Sequence, residues 1–157
     1  MHNKYSVVVE FTADSKVIPK DLLLLADPSQ DSIQSYIDKA NFYIAKSEDK
    51  IIGIVVYIVN SSEVEIVNIA VYPEYQTMGV GKKLIDSVID HTKKNDLKFL
   101  EVKTGNSSIG QIAFYQKAGF RITGVERDYF LKNYIDPIYE NGIRCLDRIV
   151  FTMELQS

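Results

Sequence analysis

The stretch Val71-Tyr72-Pro73-Glu74-Tyr75-Gln76-Thr77-Met78-Gly79-Val80-Gly81-Lys82-Lys83 closes a β-branched run and opens a helix through two glycines and two lysines. Behind it, Val80, Leu84, Ile85, Val88 and Ile89 recur at the spacing of one helical face, which puts Gly79 and Gly81 in the first turn. The leading N–H groups of a helix have no partner within it, and the macrodipole adds partial positive charge at that end. A strand that feeds a bare helix start is an expected anion cradle.

Outward from that stretch the chain punctuates itself. Tyr5 to Thr12 is rich in β-branched and aromatic residues and reads as a first strand. Lys20 to Asp27, behind Pro19, carries a leucine cluster and reads as a short helix. A second helix follows, with Ile33, Tyr36, Ile37 and Ala40 at helical spacing behind the capping candidates Ser29 and Asp31. Phe42 to Ser47 and Ile51 to Asn60, joined at Glu48-Asp49-Lys50, predict a hairpin. Glu63 to Val71 predicts a fourth strand with Glu63, Glu65, Val67, Ile69 and Val71 on one face. The glycine helix runs to about Asn95, Phe99 to Thr104 is a fifth strand, and Ser107 to Ala118 a helix ended by Gly119. Arg121 to Glu126 and Cys145 to Leu155 are the last strands, separated by a polar, aromatic loop from Asp128 to Gly142. The order β-α-α-β-β-β-α-β-α-β-β predicts an α/β (α+β mixed) fold with a mixed sheet and helices on both faces.

Length and composition bound the function. The 157 residues, 46% hydrophobic and 25% charged, predict one soluble domain over residues 1–157. A net charge of −3 argues against nucleic acid as partner, because many phosphates require a basic face. No apolar run is long enough to span a bilayer or to act as a secretory signal, so the expected setting is cytoplasmic. The single cysteine, Cys145, rules out an internal disulfide and a multi-cysteine metal site; in an apolar run it reads as a buried thiol. No metal is expected. Neither His2, near the chain start, nor His91, expected on the outer part of its helix, reads as catalytic.

Three phosphate-binding patterns compete for the glycine stretch. A nucleotide P-loop requires G-x-x-x-x-G-K-[ST], but Gly79-Val80-Gly81-Lys82-Lys83 has other glycine spacing and no hydroxyl for magnesium. A dinucleotide fingerprint requires a small residue where Leu84 stands. What remains is Gln-x-x-Gly-x-Gly entering a helix after Ile69-Ala70-Val71. With the strand Leu100-Glu101-Val102 and the run Ala113-Phe114-Tyr115-Gln116-Lys117-Ala118-Gly119-Phe120, the chain resembles the GNAT superfamily of N-acetyltransferases over nearly its whole length.

The resemblance implies a seven-stranded sheet whose fourth and fifth strands splay, with acetyl-CoA as cosubstrate in the gap. Its pantetheine arm would pair with Ile69, Ala70 and Val71, and its pyrophosphate would rest on amides of Gln76, Thr77, Met78, Gly79, Val80, Gly81 and Lys82. A side chain at Gly79 or Gly81 is expected to hinder that approach, and Lys82 either adds charge or is a solvated surface lysine. Asn106 resembles the asparagine that contacts pantetheine, but its distance to Tyr115 is two residues longer than the family pattern, and Ser108 stands at the usual spacing. Tyr115 matches the tyrosine that protonates the leaving sulfur, unless it is core. Glu65, or less well Glu63, matches a strand-four base acting directly or through water, unless it is a structural carboxylate. A backbone amide near Ile69 or Ala70 would polarise the carbonyl.

The implied activity is acetyl transfer to a primary amine by direct attack in a ternary complex. The acids and aromatics of loop 128–142 suggest a small cationic amine as acceptor. A protein lysine or N-terminus is the alternative within the same chemistry, and a non-catalytic acyl-CoA sensor or interaction module the alternative outside it. The long terminal strand and the aromatic loop are compatible with a homodimer.

Overall fold

The computed structural model describes residues 6–155, so Tyr5 and His2 lie outside the described residues. Strands β1 (Val7–Thr12), β2 (Asn41–Ser47), β3 (Lys50–Val59), β4 (Glu63–Val71), β5 (Phe99–Gly105), β6 (Arg121–Glu126) and β9 (Arg148–Glu154) form one seven-stranded sheet. Its order is β1-β2-β3-β4-β5-β9-β6. All neighbours are antiparallel except β4 and β5, which run parallel on either side of α3 (Val80–Lys94). This is the mixed sheet the sequence predicts.

Helices cover both faces for reasons visible in their sequences. The inward stripe of α3, Val80, Leu84, Ile85 and Val88, is at most 1% exposed and packs on one face of the sheet, joined there by α4 (Ile109–Lys117) through Tyr115. Burying each aliphatic side chain of that stripe stabilises by about 1.5–3 kcal/mol relative to leaving it exposed. On the other face, α1 (Lys20–Ala26) and α2 (Gln30–Tyr36) bring Leu22, Leu23, Ile33 and Tyr36 onto Phe42, Ile44, Ile54 and Val56. Ser29 caps α2 by accepting from the Ser32 N–H at 3.1 Å, as its position before the apolar periodicity predicts.

One local irregularity positions the site. The β3–β4 register runs Val56↔Asn68 and then Tyr57↔Ile66, so Val67 is an extra, unpaired residue. The single-face alternation expected for Glu63 through Val71 therefore breaks at Val67. Val64 and Ile66, then Ile69 and Val71, pack towards α3, while Val67 and Ala70 pack towards α1 and α2. Asn68 turns the same way, and its amide donates to Leu23 O and to the Tyr36 hydroxyl, both at 3.0 Å. Periodicity cannot anticipate a bulge, because inserting one residue inverts every later side chain.

The connection between β6 and β9 is more structured than a loop. It contains α5 (Tyr129–Asn133) and a small hairpin, β7 (Tyr139–Glu140) with β8 (Ile143–Arg144). The last strand begins at Arg148, not Cys145, because Cys145 N–H bonds to Ile138 O and holds that segment to the preceding chain. Cys145 is buried, as expected, with its Sγ filling the space that a Cβ on Gly105 would occupy. His91 is not on the outer part of α3. It is partly buried, with its ring centroid 5.2 Å from Tyr57 and 6.4 Å from Tyr43, and desolvation holds its pKa below the usual value.

Candidate active site

Two strands that begin as partners separate to make the site. β4 and β5 pair from Glu63↔Phe99 to Ile66↔Val102, and the pairing stops where Val67 bulges. Beyond that point β4 stays on β3 and β5 stays on β9, so the inner edge of β4 from Val67 to Val71 is left without a ladder partner. A groove of about 650 Å³ opens on this edge. Its floor is Ile69, Ala70 and Val71, and one wall is Gln76, Thr77, Gly79, Val80, Gly81 and Lys82. Ser108, Gln111 and Phe114 from the start of α4 form the opposite wall.

The entry to α3 has the properties of an anion site. Gly79 is its N-cap at φ 80°, supplies no side-chain cap, and leaves the amides of Val80, Gly81 and Lys82 ahead of the first i→i−4 bond, Lys83 N–H to Gly79 O at 3.1 Å. No acid stands in that first turn, where the dipole would favour one, and Lys82 and Lys83 stand there instead. Gln76 steadies the preceding turn by donating from Nε2 to Val71 O at 2.9 Å.

The two glycines differ in what surrounds them. Gly79 adopts a left-handed conformation that side chains disfavour, and a Cβ there would meet nothing within 4 Å. A Cβ on Gly81 would lie 3.1 Å from Phe114 Cζ, so Gly81 lets α4 pack against the start of α3.

On the α1–α2 face a second cavity of about 550 Å³ is walled by Tyr36, Tyr129, Phe130 and Tyr134, with Glu65, Lys103 and Arg148 among its polar lining. The aromatics of the β6–β9 connection are therefore wall residues. Tyr134 hydroxyl donates to Asp27 Oδ1 at 3.3 Å, which ties α5 to the α1–α2 turn, and the Arg148 guanidinium lies 3.6 Å over the Tyr129 ring. Burial, followed by the charge of Asp27, pushes the Tyr134 hydroxyl up to about 12.

The polar lining is an ion network. Lys103 Nζ lies 3.5 Å from Glu101, 3.5 Å from Glu126 and 3.9 Å from Glu65, and Arg148 Nε donates to Glu126 at 2.6 Å. Glu65 and Glu101 are directly opposite across the parallel pair, a like-charge juxtaposition that Lys103 offsets. Desolvation raises the Glu65 carboxyl above the usual carboxylate range, with Lys103 opposing and Glu101 reinforcing. For Glu126 desolvation also acts upward, but the Arg148 hydrogen bond and charge outweigh it and hold the carboxyl low.

The structure thus gathers most of the expected residues and separates four. Met78 does not line the groove. Asn106 lines neither cavity: its Oδ1 accepts from Leu146 N–H at 2.7 Å and Asp147 N–H at 2.9 Å, and its Nδ2 donates to Arg144 O at 3.1 Å. It clamps the approach to β9, and Ser108 takes the groove position. Tyr115 is 3% exposed among Phe114, Phe120 and Phe151 and lines neither cavity, and burial pushes its hydroxyl up, so the phenol stays protonated. Glu63 lines neither cavity, and Glu65 lines only the second. Asn68, Lys103 and Arg148 escaped the sequence reading because nothing local marks a polar residue whose partners come from other strands.

A parallel pair that splays beside an uncapped helix start, with a second cavity across the sheet, is the arrangement that the resemblance drawn from the sequence implies for an acyl-transfer protein. The family model described as the acetyltransferase (GNAT) family matches residues 15–120, and the chain belongs to that family. It is an acetyl-CoA-dependent N-acetyltransferase. A GNAT family acetyltransferase from Elizabethkingia anophelis, solved with acetyl-CoA bound, is 44% identical with a TM-score of 0.90, covering 95% of this chain and 98% of the other. An IAA acetyltransferase from Bacillus cereus ATCC 14579 is 46% identical with a TM-score of 0.89, covering 96% and 100%. The uncharacterized N-acetyltransferase YvbK of Bacillus subtilis strain 168 is 43% identical over 136 residues, 86% of this chain and 88% of that protein. Among the described residues no group of three or more His, Cys, Asp or Glu side chains is placed to hold a metal, and no helix is long and apolar enough to cross a membrane.

Proposed function

We propose that this enzyme acetylates a small primary amine by direct attack on acetyl-CoA, with both substrates bound at once. The observation that carries this reading is that the groove along β4 and the aromatic cavity have common lining at Leu25, Ala26, Ser108 and Glu140, so a thioester in one meets an amine in the other. The Tyr134–Asp27 hydrogen bond bridges one side of the cavity and narrows it, which favours a small molecule over a protein segment. Asp27, Glu65 and Glu140 place carboxylates beside the aromatic walls, against Lys39, Lys103 and Arg148 in the same lining, and those carboxylates with the aromatic faces suit a cationic amine.

In this mechanism the pyrophosphate rests on the amides at the start of α3, and a β4 amide near Ile69 or Ala70 receives the developing oxyanion. Glu65 serves the amine from the acceptor side through water, since it does not line the groove. Tyr115 is the proposed donor to the departing thiolate on its place in the Tyr-x-x-x-Gly-Phe run, against a burial that makes the phenol a weaker acid. A panel of cationic, neutral and anionic amines with acetyl-CoA, read by free-thiol release, tests the acceptor class. Turnover confined to anionic or neutral acceptors overturns it. Tyr115→Phe tests the acid: slower turnover with unchanged acetyl-CoA binding is expected, and unchanged turnover makes Tyr115 a core residue.

A further inference from the structure

We propose that Glu140, on the β7–β8 hairpin, is a catalytic carboxylate that grips the acceptor's ammonium at the junction of the two cavities and takes its proton. This rests on the acetyl-transfer reading above. Attack requires amine and thioester to touch, so the group that manages the amine's proton belongs where the two cavities meet. Among the described residues Glu140 is the ionisable side chain that lines both. Glu65 and Lys103 line the acceptor cavity alone, Tyr75 and Lys82 the donor groove alone, and Tyr115 neither.

The local structure is built to present this carboxylate. Ser108 Oγ donates to Glu140 Oε1 at 2.7 Å and Ser107 Oγ donates to the same oxygen at 3.2 Å. Asn141 Nδ2 donates to Ser107 O at 2.9 Å, which fixes the hairpin to the start of α4, and the Asn106 clamp holds the chain on the far side of β8. One oxygen is thus anchored by hydroxyls and the other, Oε2, is left for a ligand. The extra length between Asn106 and Tyr115 acquires a purpose: the turn it creates supplies the two serines that orient Glu140.

The step balances as follows. R–NH3+ binds with one N–H on Glu140 Oε2 and gives it that proton. The freed nitrogen pair attacks the acetyl carbonyl, forming C–N and placing the negative charge on the carbonyl oxygen. Collapse breaks C–S, the thiolate leaves and takes a proton from Tyr115, and the second proton given up by the attacking nitrogen returns through solvent to Tyr115. Glu140 passes the first proton to water in the acceptor cavity, on whose other side Glu65 lies. The sum is acetyl-CoA and an ammonium giving an N-acetyl product, CoA thiol and one released proton.

The test is Glu140→Gln, which retains an acceptor oxygen for Ser107 and Ser108 and removes the charge. With an amine that the wild type acetylates, kcat/KM near neutrality is expected to fall about 100-fold or more while acetyl-CoA affinity changes less than about 3-fold. The defect should shrink as pH approaches the amine's own pKa, where the substrate arrives without its proton. A merely structural role would give a loss that does not vary with pH, and that result overturns the proposal, as does a Glu140→Gln enzyme within about 3-fold of wild type. Ser108→Ala, which keeps the charge and loosens its support, is expected to show a smaller loss with the same pH trend, and a larger loss than Glu140→Gln also overturns it. A wild type that binds acetyl-CoA yet releases no thiol with any amine defeats the acetyl-transfer reading itself, and this proposal with it.

Discussion

The proposed donor groove takes its floor and one wall from a single unbroken stretch, Ile69 to Lys82, which includes the bare amides at the start of α3; the proposed acceptor cavity is assembled from side chains of α1, α2, β4, β5, α5 and the β7–β8 hairpin, tied by contacts such as Tyr134 to Asp27, 107 positions apart. Backbone recognition requires particular conformations, and those leave marks in sequence as glycines and a strand-to-helix punctuation. Side-chain recognition requires only that distant residues meet, which leaves no local mark. The difference explains why the donor was identifiable from a few residues and why the acceptor is approached through chemistry. It also predicts that substitutions in the two regions separate cleanly in kinetics, and each prediction that follows is a way to make that separation fail.

After Glu140, the largest effect is expected at Glu65, which takes the proton onward through water. Glu65→Gln should lower kcat/KM for the amine by about 100-fold and leave acetyl-CoA affinity unchanged, a loss typical of removing a proton acceptor. Because desolvation raises this carboxyl, the wild-type rate should climb with pH above the ordinary carboxylate range, and the variant should lose that climb. Stability runs the other way. A carboxyl whose folded pKa is raised contributes fully below its unfolded pKa and loses that contribution as pH rises through the folded value. Thermal unfolding of the wild type should therefore show a pH-dependent decline across that window that Glu65→Gln flattens. A fall in acetyl-CoA affinity in this variant would break the separation of the two regions.

The same contrast sets how much of the molecule was legible. Element order, sheet type and the helices on both faces follow from periodicity, caps and the glycine punctuation, and the groove floor at Ile69, Ala70 and Val71 from the family resemblance. Ser29 as the cap of α2 was legible for the same reason. The bulge at Val67 was not, since its cause is the mismatch between β3 and β4 and not any residue type. The spacing already set Ser108 against Asn106, but the clamp was not legible: a motif aligned by position cannot see that the longer turn frees Asn106 to hold residues 144–147. The β7–β8 hairpin, two residues a side, is too short to show alternation.

Asn68 comes next in size. Asn68→Leu removes two buried donations, to Leu23 O and the Tyr36 hydroxyl; Leu23 O keeps the Asp27 N–H but the Tyr36 hydroxyl loses its donor, at a cost of about 1–3 kcal/mol in chemical denaturation. Since those bonds hold α1 and α2 over the bulge, KM for the amine should rise more than KM for acetyl-CoA. Equal rises would mean that the helices do not shape the acceptor cavity alone.

Gly81 separates packing from ligand clearance. Gly81→Ala should gain up to about 1 kcal/mol in helix propensity and lose about 1–3 kcal/mol in overpacking against Phe114, for a small net destabilisation. Adding Phe114→Leu should recover the loss in a double-mutant cycle. If the double variant regains stability but not acetyl-CoA affinity, the glycine also serves close approach of the ligand, and the two glycines are less different than their geometry indicates.

The smallest effect is expected at Lys82, where the two regions differ least because a surface charge contributes little in either. Lys82 stands at the wrong end of α3 for the dipole and pairs with Asp86 at 3.0 Å, with 68% and 53% of the two side chains exposed. The pair contributes about 0.3–0.5 kcal/mol and the dipole opposes it by a similar amount, so Lys82→Ala should leave the unfolding free energy within about 0.5 kcal/mol of wild type. Yet Lys82 lines the groove, and an anion there adds an attraction absent without ligand. Acetyl-CoA affinity should weaken about 3-fold at low ionic strength, and the difference should vanish in high salt, as screening requires of an exposed charge. A loss that persists in high salt would place the ammonium in direct contact with phosphate and make this one side chain part of a cradle otherwise made of amides.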